Sequence, residues 1–181
     1  MATDHDFVMN LAHGYYLALG EFMFRCGQLE NQMHEVLWLA IGIDNKQGRT
    51  LTIGADPRAI RGMLSTVTSV EQWIPSSKKS LAQGINTLIN KSKEFVKLRN
   101  RIVHGCWQTS VRGKTLPRLL YMKERDEKIV AKYDPAVDDA YIHKQCAQIK
   151  KLNLRAKQLI YDLTVFRGVP PSRLHSPKDI R

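Results

Sequence analysis

Cysteine is scarce in this 181-residue chain, and the three that occur, Cys26, Cys106 and Cys146, lie far apart with no CxxC pair. An odd number of widely separated cysteines argues against a disulfide framework and against a zinc site made of thiolates. The pair His34-Glu35 is followed by Trp38, where a zinc-protease helix would carry a second histidine. We therefore expect reduced thiols in the core and no metal site.

Long apolar runs are also missing. No stretch approaches the ~18 consecutive apolar residues of a membrane-spanning helix. The first residues, with Asp4, His5 and Asp6 soon after Met1, lack the basic and then apolar order of a signal peptide. Internal repeats and low-complexity tracts are absent as well. These absences predict a cytoplasmic protein without a membrane partner.

Acidic residues become scarce after residue 50. Residues 1–50 hold three basic and six acidic residues, whereas residues 51–181 hold 25 and 11, so the net charge changes from −3 to +14. Such an excess of positive charge attracts phosphates over roughly a Debye length. It favours a polyanionic partner, although a generic basic surface remains the alternative because charge alone does not identify a ligand.

Apolar residues recur at helical intervals over most of the chain, whose length and composition suit one globular domain. They predict one long helix over about residues 7–43, followed by a loop over residues 44–56. Asp56 and Pro57 provide the N-cap and first-turn proline of a second helix, which we expect to run to about Val70.

A third helix is predicted to begin at Ser76 or Ser77 and to end at His104, before Gly105. Its apolar residues fall on one stripe. The members of the stripe are Leu81, Ile85, Leu88, Ile89, Phe95, Val96, Ile102 and Val103.

The sequence after the third helix is richer in Thr, Val, Tyr and Leu. Residues 107–132 show partial alternation, which predicts a β-hairpin or an extended arm that turns near Gly113. The Asp-Pro pair at 134–135 opens a fourth helix to about Phe166. Its candidate core positions are Ile142, Cys146, Ile149, Leu152, Leu159 and Leu163. We thus expect a mainly α fold, a bundle of about four main helices over residues 1–167 with a small insert, and a flexible basic tail over 168–181.

Arg99 is placed unusually, since it lies three or four residues from Phe95, Ile102 and Val103 and so within the apolar stripe. A guanidinium is almost never fully buried without a partner, and burial of an unpaired one costs several kcal/mol. Arg99 should therefore meet an acidic residue, a crevice or a phosphate. From this residue alone, we favour a structural ion pair with Glu30, which interrupts an apolar part of the first helix.

His104 follows Asn100 by four residues, so the two share a helix face, whereas Arg99 is rotated from His104 by about 140°. One helix does not aim Arg99 and His104 at the same point, but two copies about a twofold axis could interleave them in one cleft. Such a cleft has the groups needed to cleave RNA without a metal or other cofactor. A histidine can transfer protons, an arginine can stabilise the charge of the phosphorane, and an asparagine can position a hydroxyl or a phosphate. A lone histidine at a helix C-terminus is otherwise a favourable partner of the helix dipole.

The end of the third helix resembles the signature of the HEPN (higher eukaryotes and prokaryotes nucleotide-binding) superfamily, in which an arginine and a polar residue precede a histidine after a short spacer. Here it reads Arg99-Asn100-Arg101-Ile102-Val103-His104-Gly105, with a spacer of four residues. Trp107 and the pair Leu29-Glu30 also resemble positions of the family. The resemblance covers about residues 10–165 and assigns no role to residues 107–132 or to the tail.

The resemblance implies a helical bundle that dimerises through the motif helices and, in catalytic members, a metal-independent endoribonuclease. In that reaction the 2′-hydroxyl attacks the adjacent phosphate and leaves a 2′,3′-cyclic phosphate and a 5′-hydroxyl. Carried over here, His104 is the acid or base, Arg99 stabilises the phosphate and Asn100 positions it. Many relatives are toxins, which a cognate antitoxin controls, or act in phage defence. Others only bind RNA, a nucleotide or a protein partner.

A run of basic residues, Lys91, Lys93, Lys97 and Arg101, lies on the same helix as the motif. Such a run is most often a solvated face, but beside the motif it could equally follow an RNA backbone. The candidate substrate contacts are Lys93, Lys97 and Arg101.

Overall fold

The computed structural model describes residues 13–70, 72–104, 106–108, 118–125, 128–134 and 139–168. In these ranges the fold is mainly helical. Its helices are α1 (His13–Ile41), α2 (Asn45–Thr52), α3 (Pro57–Ser69), α4 (Lys79–His104) and α5 (Asp139–Phe166), with a 3-10 turn, Ser76–Lys78, before α4. The four predicted helices are confirmed within these ranges, but the predicted start of the fourth is wrong, because Asp134 ends a strand and α5 begins at Asp139. None of the described helices is both long and apolar enough to cross a lipid bilayer.

Helices α1 and α5 lie side by side and run in the same direction. Side chains of α5, and of the residue that follows it, reach carbonyl groups of α1 at a constant offset of 128 positions. The three contacts are Cys146 Sγ to Ala18 O at 3.6 Å, Asn153 Nδ2 to Arg25 O at 3.2 Å and Arg167 Nε to Leu39 O at 2.9 Å. A constant offset over three helical levels means that the two helices are parallel neighbours in one fixed register.

The core lies where α1, α3, α4 and α5 meet. In α5 all six predicted core positions are buried, and they are Ile142, Cys146, Ile149, Leu152, Leu159 and Leu163. The predicted stripe of α4 is buried at Phe95 and Ile102, among others, but the prediction is wrong for Val103, which is 50% exposed. Val103 follows Ile102 directly, so it points about 100° away around the helix.

The expected core thiols are confirmed for Cys26 and Cys146, which are free and buried. Burial, with a smaller effect of the nearby Glu30 carboxylate, raises the pKa of the Cys26 thiol to about 12. Burial likewise raises the pKa of the Cys146 thiol to about 11. Both groups are therefore neutral apolar side chains at physiological pH. The thiol of Cys106 lies outside the described side chains.

Arg167 joins the end of α5 to the end of α1. Its guanidinium donates hydrogen bonds to Leu39 O at 2.9 Å, to Ala40 O and to Trp73 O at 3.0 Å. The last carbonyls of a helix have no partner within the helix, so Arg167 satisfies two of them in α1. Helix α1 stops because Gly42 adopts a left-handed conformation, with φ of 78°, which favours glycine.

The predicted loop over residues 44–56 is wrong, because α2 occupies most of it. Asp44 caps α2 by accepting a hydrogen bond from Gln47 N at 2.7 Å, and Gln47 Oε1 accepts one from Asp44 N at 3.4 Å. Gly48 is buried inside α2, and a Cβ atom at this position would overlap the indole ring of Trp38. The glycine therefore does not break the helix here; it allows the backbone of α2 to lie on that ring.

Between α4 and α5 the structure places three short strands, β1 (Cys106–Gln108), β2 (Arg118–Arg125) and β3 (Lys128–Asp134). They form an antiparallel sheet in the order β1-β2-β3. Cys106 pairs with Leu120, and Arg125 pairs with Lys128. Gly105, Gly113 and the predicted tail after residue 168 lie outside the described residues.

We expect Gly48→Ala to lower the stability of the protein, although alanine normally stabilises a helix by about 1 kcal/mol relative to glycine. The added methyl group would overlap Trp38, and overpacking of this kind costs about 1–3 kcal/mol. The matched control is Gly20→Ala in α1, where a Cβ atom meets nothing within 4 Å. The control should be neutral or stabilising. Urea unfolding of both variants measures the difference, and a stabilising Gly48→Ala would contradict the packing of α2 on Trp38.

Candidate functional site

The motif residues lie in the last two turns of α4. Asn100 and His104 are exposed, whereas the side chain of Arg99 is 34% exposed and faces α1. Within one chain, no hydrogen bond or ion pair among the described residues joins Arg99 to His104. The structure thus brings Arg99 next to Asn100 and Glu30, and it leaves the imidazole of His104 at the open end of the helix.

Arg99 and Glu30 form an ion pair, with Arg99 Nη1 at 3.5 Å from Glu30 Oε1. The same nitrogen donates to Asn100 Oδ1, also at 3.5 Å. Short charge-assisted hydrogen bonds measure about 2.7–2.9 Å, so both contacts are long. Glu30 Oε1 is shielded from solvent and makes no hydrogen bond among the described residues. The pair therefore compensates the charges of Arg99 and Glu30, although neither contact of the guanidinium is a short hydrogen bond.

A groove of about 780 Å³ lies between α3 and α4 and includes Arg99 and Asn100 in its lining. Its lining contains five basic side chains, Arg58 and Arg61 from α3 and Lys93, Lys97 and Arg99 from α4. Asp56 is the single carboxylate among the described lining residues. It accepts a hydrogen bond from Ala59 N at 2.7 Å as the N-cap of α3, so its charge is already engaged.

The basic side chains of the groove stand in two rows. Lys93 and Lys97 are one helical turn apart on α4, and Arg58 and Arg61 are one turn apart on α3. Arg61 Nη1 is shielded from solvent and has no hydrogen-bond partner among the described residues. Lys97 pairs with Glu94 at 3.4 Å, so Arg61 is the lining residue whose unpartnered donor is the clearest offer to an anion. Arg101, the third predicted contact, is half-buried and does not line this groove.

Sequence reasoning missed Arg58 and Arg61. Because Arg58 and Arg61 are three residues apart on a predicted helix, the sequence does indicate that they share a face. It did not show which face of α3 turns towards α4, because that depends on how the two helices pack. The groove is therefore a property of the tertiary structure.

A second pocket, of about 450 Å³, lies between α1 and α2 and shares no lining residue with the groove. Its described lining residues are Asn31, His34, Glu35, Trp38, Asn45, Arg49 and Thr52. Burial lowers the pKa of the His34 imidazole, and the negative charge of Glu30 opposes this effect. Burial also raises the pKa of the Glu35 carboxyl. Both groups thus favour their neutral forms more than exposed groups would.

Neither metal ligands nor similarity to other proteins identifies the chemistry of these two sites. In the part of the chain that the structure describes, no three His, Cys, Asp or Glu side chains are grouped as metal ligands would be. No family model, curated protein or solved structure matches the chain. A function must therefore be inferred from the residues themselves.

The raised pKa of Glu35 makes a testable contribution to stability. A carboxyl whose pKa is higher in the folded than in the unfolded protein stabilises the fold below its ordinary pKa of 4.5, and this contribution is lost as the pH rises through the folded pKa. We therefore expect Glu35→Gln to be more stable than the wild type at about pH 8 and to lose that advantage near pH 4.

Urea unfolding at the two pH values measures this difference. The control is Glu94→Gln, which makes the same substitution at a side chain that is 71% exposed, where surface substitutions change stability by about 0.5 kcal/mol or less. An advantage of Glu35→Gln that is the same at both pH values would show that burial of the charge is not its cause.

Proposed function

We propose that this chain is a metal-independent endoribonuclease of the HEPN type that acts as a homodimer, assembled through the motif helix α4. The observation that carries the proposal is the position of Arg99 and Asn100 in a groove lined by five basic side chains. A toxin held by a cognate antitoxin, or an effector of phage defence, is the biological role that this activity suits.

The groove supports binding of an RNA backbone. Each cation that contacts a phosphate releases condensed counterions, which drives association at low salt. Both rows of basic residues line the same groove, so a strand bound there would contact both α3 and α4. Arg99 sits where the groove meets the motif, so a strand that follows the groove arrives at the reacting groups.

Two copies of α4 are needed to complete the cleft. Val103, next to His104, is a half-exposed apolar side chain at the end of α4 and offers a contact for the second helix. In the paired arrangement, one His104 accepts the proton of the 2′-hydroxyl while the 2′-oxygen bonds to phosphorus. The P–O5′ bond then breaks, and the other His104 gives a proton to the leaving 5′-oxygen. Arg99 stabilises the charge on the phosphate oxygens and Asn100 positions the phosphate.

A second candidate is a catalytically silent HEPN-type module that binds RNA, a nucleotide or a protein partner. The ion pair between Arg99 and Glu30 favours it, because it gives Arg99 a structural role in a single chain. The two candidates make the same use of the groove. They differ only in whether His104 takes part in a reaction.

We expect the wild type to cleave total RNA in the presence of EDTA and to leave 2′,3′-cyclic phosphate and 5′-hydroxyl ends. His104→Ala should lower the rate at least about 100-fold, since general acid–base catalysis contributes about 10²–10⁴-fold. The control is His143→Ala, which removes another exposed histidine, on α5. End-group analysis of the products measures the outcome. If a folded dimer binds RNA but neither it nor His104→Ala cuts, the silent module is the correct reading.

The groove gives a separate prediction for RNA affinity. Replacing both Arg58 and Arg61 by Gln should weaken the binding of a single-stranded RNA and reduce the slope of log K against log salt by about 1.4, since each phosphate contact contributes about 0.7 for single strands. Fluorescence anisotropy over a salt series measures the slope. The control is Arg155→Gln, which removes an exposed arginine of α5 outside the groove. An unchanged slope in the double variant would place the RNA elsewhere.

A further inference from the structure

The pocket between α1 and α2 contains a carboxylate that has no cation beside it. Glu35 lies on α1 and is half-buried, and its side chain makes no ion pair or hydrogen bond with the described residues. Burial raises the pKa of Glu35, and no charge on the described residues offsets that effect. An ionised carboxylate in this position is costly unless a positive charge or hydrogen bonds compensate it. The described part of the protein supplies neither.

The same pocket contains a cation that has no anion beside it. Arg49 lies on α2 and is exposed, and its guanidinium has no partner among the described residues. Arg49 and Glu35 both line the pocket, yet no ion pair joins them in the part of the chain that the structure describes. Two opposite charges that share a pocket without meeting can be bridged by a ligand that carries both signs of charge.

Hydrogen bonds to Thr52 fix the proton position of His34, which also lines the pocket. The Thr52 hydroxyl oxygen lies 2.9 Å from Gly48 O, 3.3 Å from Trp38 Nε1 and 3.1 Å from His34 Nδ1. A carbonyl can only accept and an indole N–H can only donate, so the hydroxyl donates to Gly48 O and accepts from Trp38. Its second lone pair accepts from His34 Nδ1, and His34 Nε2 therefore keeps a lone pair. Burial lowers the pKa of His34, which favours this neutral form.

The lining of the pocket suits a small polar ligand with a positive group. Acceptors are present on Glu35, on His34 Nε2 and on the amide oxygens of Asn31 and Asn45, and an ammonium group has three N–H donors. Arg49 adds a donor for a negative group. No aliphatic side chain belongs to the described lining, and the volume of about 450 Å³ falls within the range of about 300–1,000 Å³ that is typical of small-molecule sites.

We propose that this pocket binds a small zwitterion, an amino acid whose ammonium and carboxylate groups are joined by a short carbon chain. The ammonium donates to the Glu35 carboxylate, to His34 Nε2 and to an amide oxygen, and the carboxylate of the ligand accepts from Arg49. Because the ligand has no net charge, it compensates both charges of the pocket without adding another. The site uses no residue of the groove or of the motif, so it is independent of the proposed ribonuclease.

Titration of the full-length protein with glycine, β-alanine and γ-aminobutyrate tests the proposal, since these ligands differ only in the length of the chain between their charged groups. The indole N–H of Trp38 lies at the pocket and is bonded to Thr52, so its NMR signal reports binding there. We expect at least one of the three ligands to shift this signal to saturation. The ligand that binds most tightly gives the separation of charges that the pocket accepts.

Glu35→Gln should weaken the binding of that ligand about 10-fold, because a hydrogen bond to a charged group becomes one to a neutral group. The variant should stay folded, since it removes a partly buried charge. Arg49→Gln should cause a smaller loss, up to about 5-fold, because Arg49 is exposed. The controls Glu94→Gln and Arg155→Gln make the same substitutions at exposed positions outside the pocket and should bind as the wild type does.

Two derivatives of the ligand separate the roles of its charges. The N-acetyl derivative has no ammonium, so it should bind at least about 10-fold more weakly, and Glu35→Gln should not weaken it further. The carboxamide has no carboxylate, so its binding should still depend on Glu35 but not on Arg49. The proposal is overturned if none of the three amino acids shifts the Trp38 signal to saturation, or if Glu35→Gln binds as tightly as the wild type. It is also overturned if the carboxamide binds as tightly as the free acid, which would show a site for a cation alone.

Discussion

The parallel pairing of α1 and α5 is the contact on which the rest of the fold depends. Its register is fixed at three levels, and Arg167 closes it by binding the last carbonyls of α1. Two parallel helices must be joined by a connection that returns to the starting end, so the chain between them has to cross the bundle. Arg167 also binds Trp73 O, so the chain is still at this end of α1 before α4 begins, and the return lies after Trp73. Helix α4, which carries the motif, is therefore part of that return.

Glu30 links that core to the candidate site. It lies on a mainly buried part of α1, where an unpaired carboxylate would be costly, and Arg99 reduces this cost by pairing with it. The pair also turns the guanidinium of Arg99 towards α1 and the groove. At 3.5 Å the contact is longer than a charge-assisted hydrogen bond. In the proposed RNA complex a phosphodiester, which like a carboxylate carries one negative charge over two oxygens, would share this guanidinium with Glu30.

Local signals in the sequence predicted most of the helices, although the Asp-Pro pair at 134–135 did not mark the start of α5. Asp56-Pro57 predicted the start of α3, and the periodicity of α5 predicted its buried face residue by residue. The prediction failed for α2, where the deciding contact is with another helix. Gly48 weakens the helix pattern of α2 in the sequence. Its packing on Trp38, ten residues earlier and in α1, explains why a glycine occurs there. The motif residues were found from their spacing. Arg58 and Arg61 were not, because no local pattern shows which helix faces lie opposite each other.

The groove and the pocket differ in the forces that they can offer a ligand. The groove is lined by five basic side chains, so an anion bound there would be held mainly by charge, and salt would weaken its binding steeply. The pocket combines one exposed cation, Arg49, with the Glu35 carboxyl and the side-chain amides of Asn31 and Asn45. A ligand bound there would be held mainly by hydrogen bonds, which salt screens little. The dependence of binding on salt would therefore distinguish the two sites.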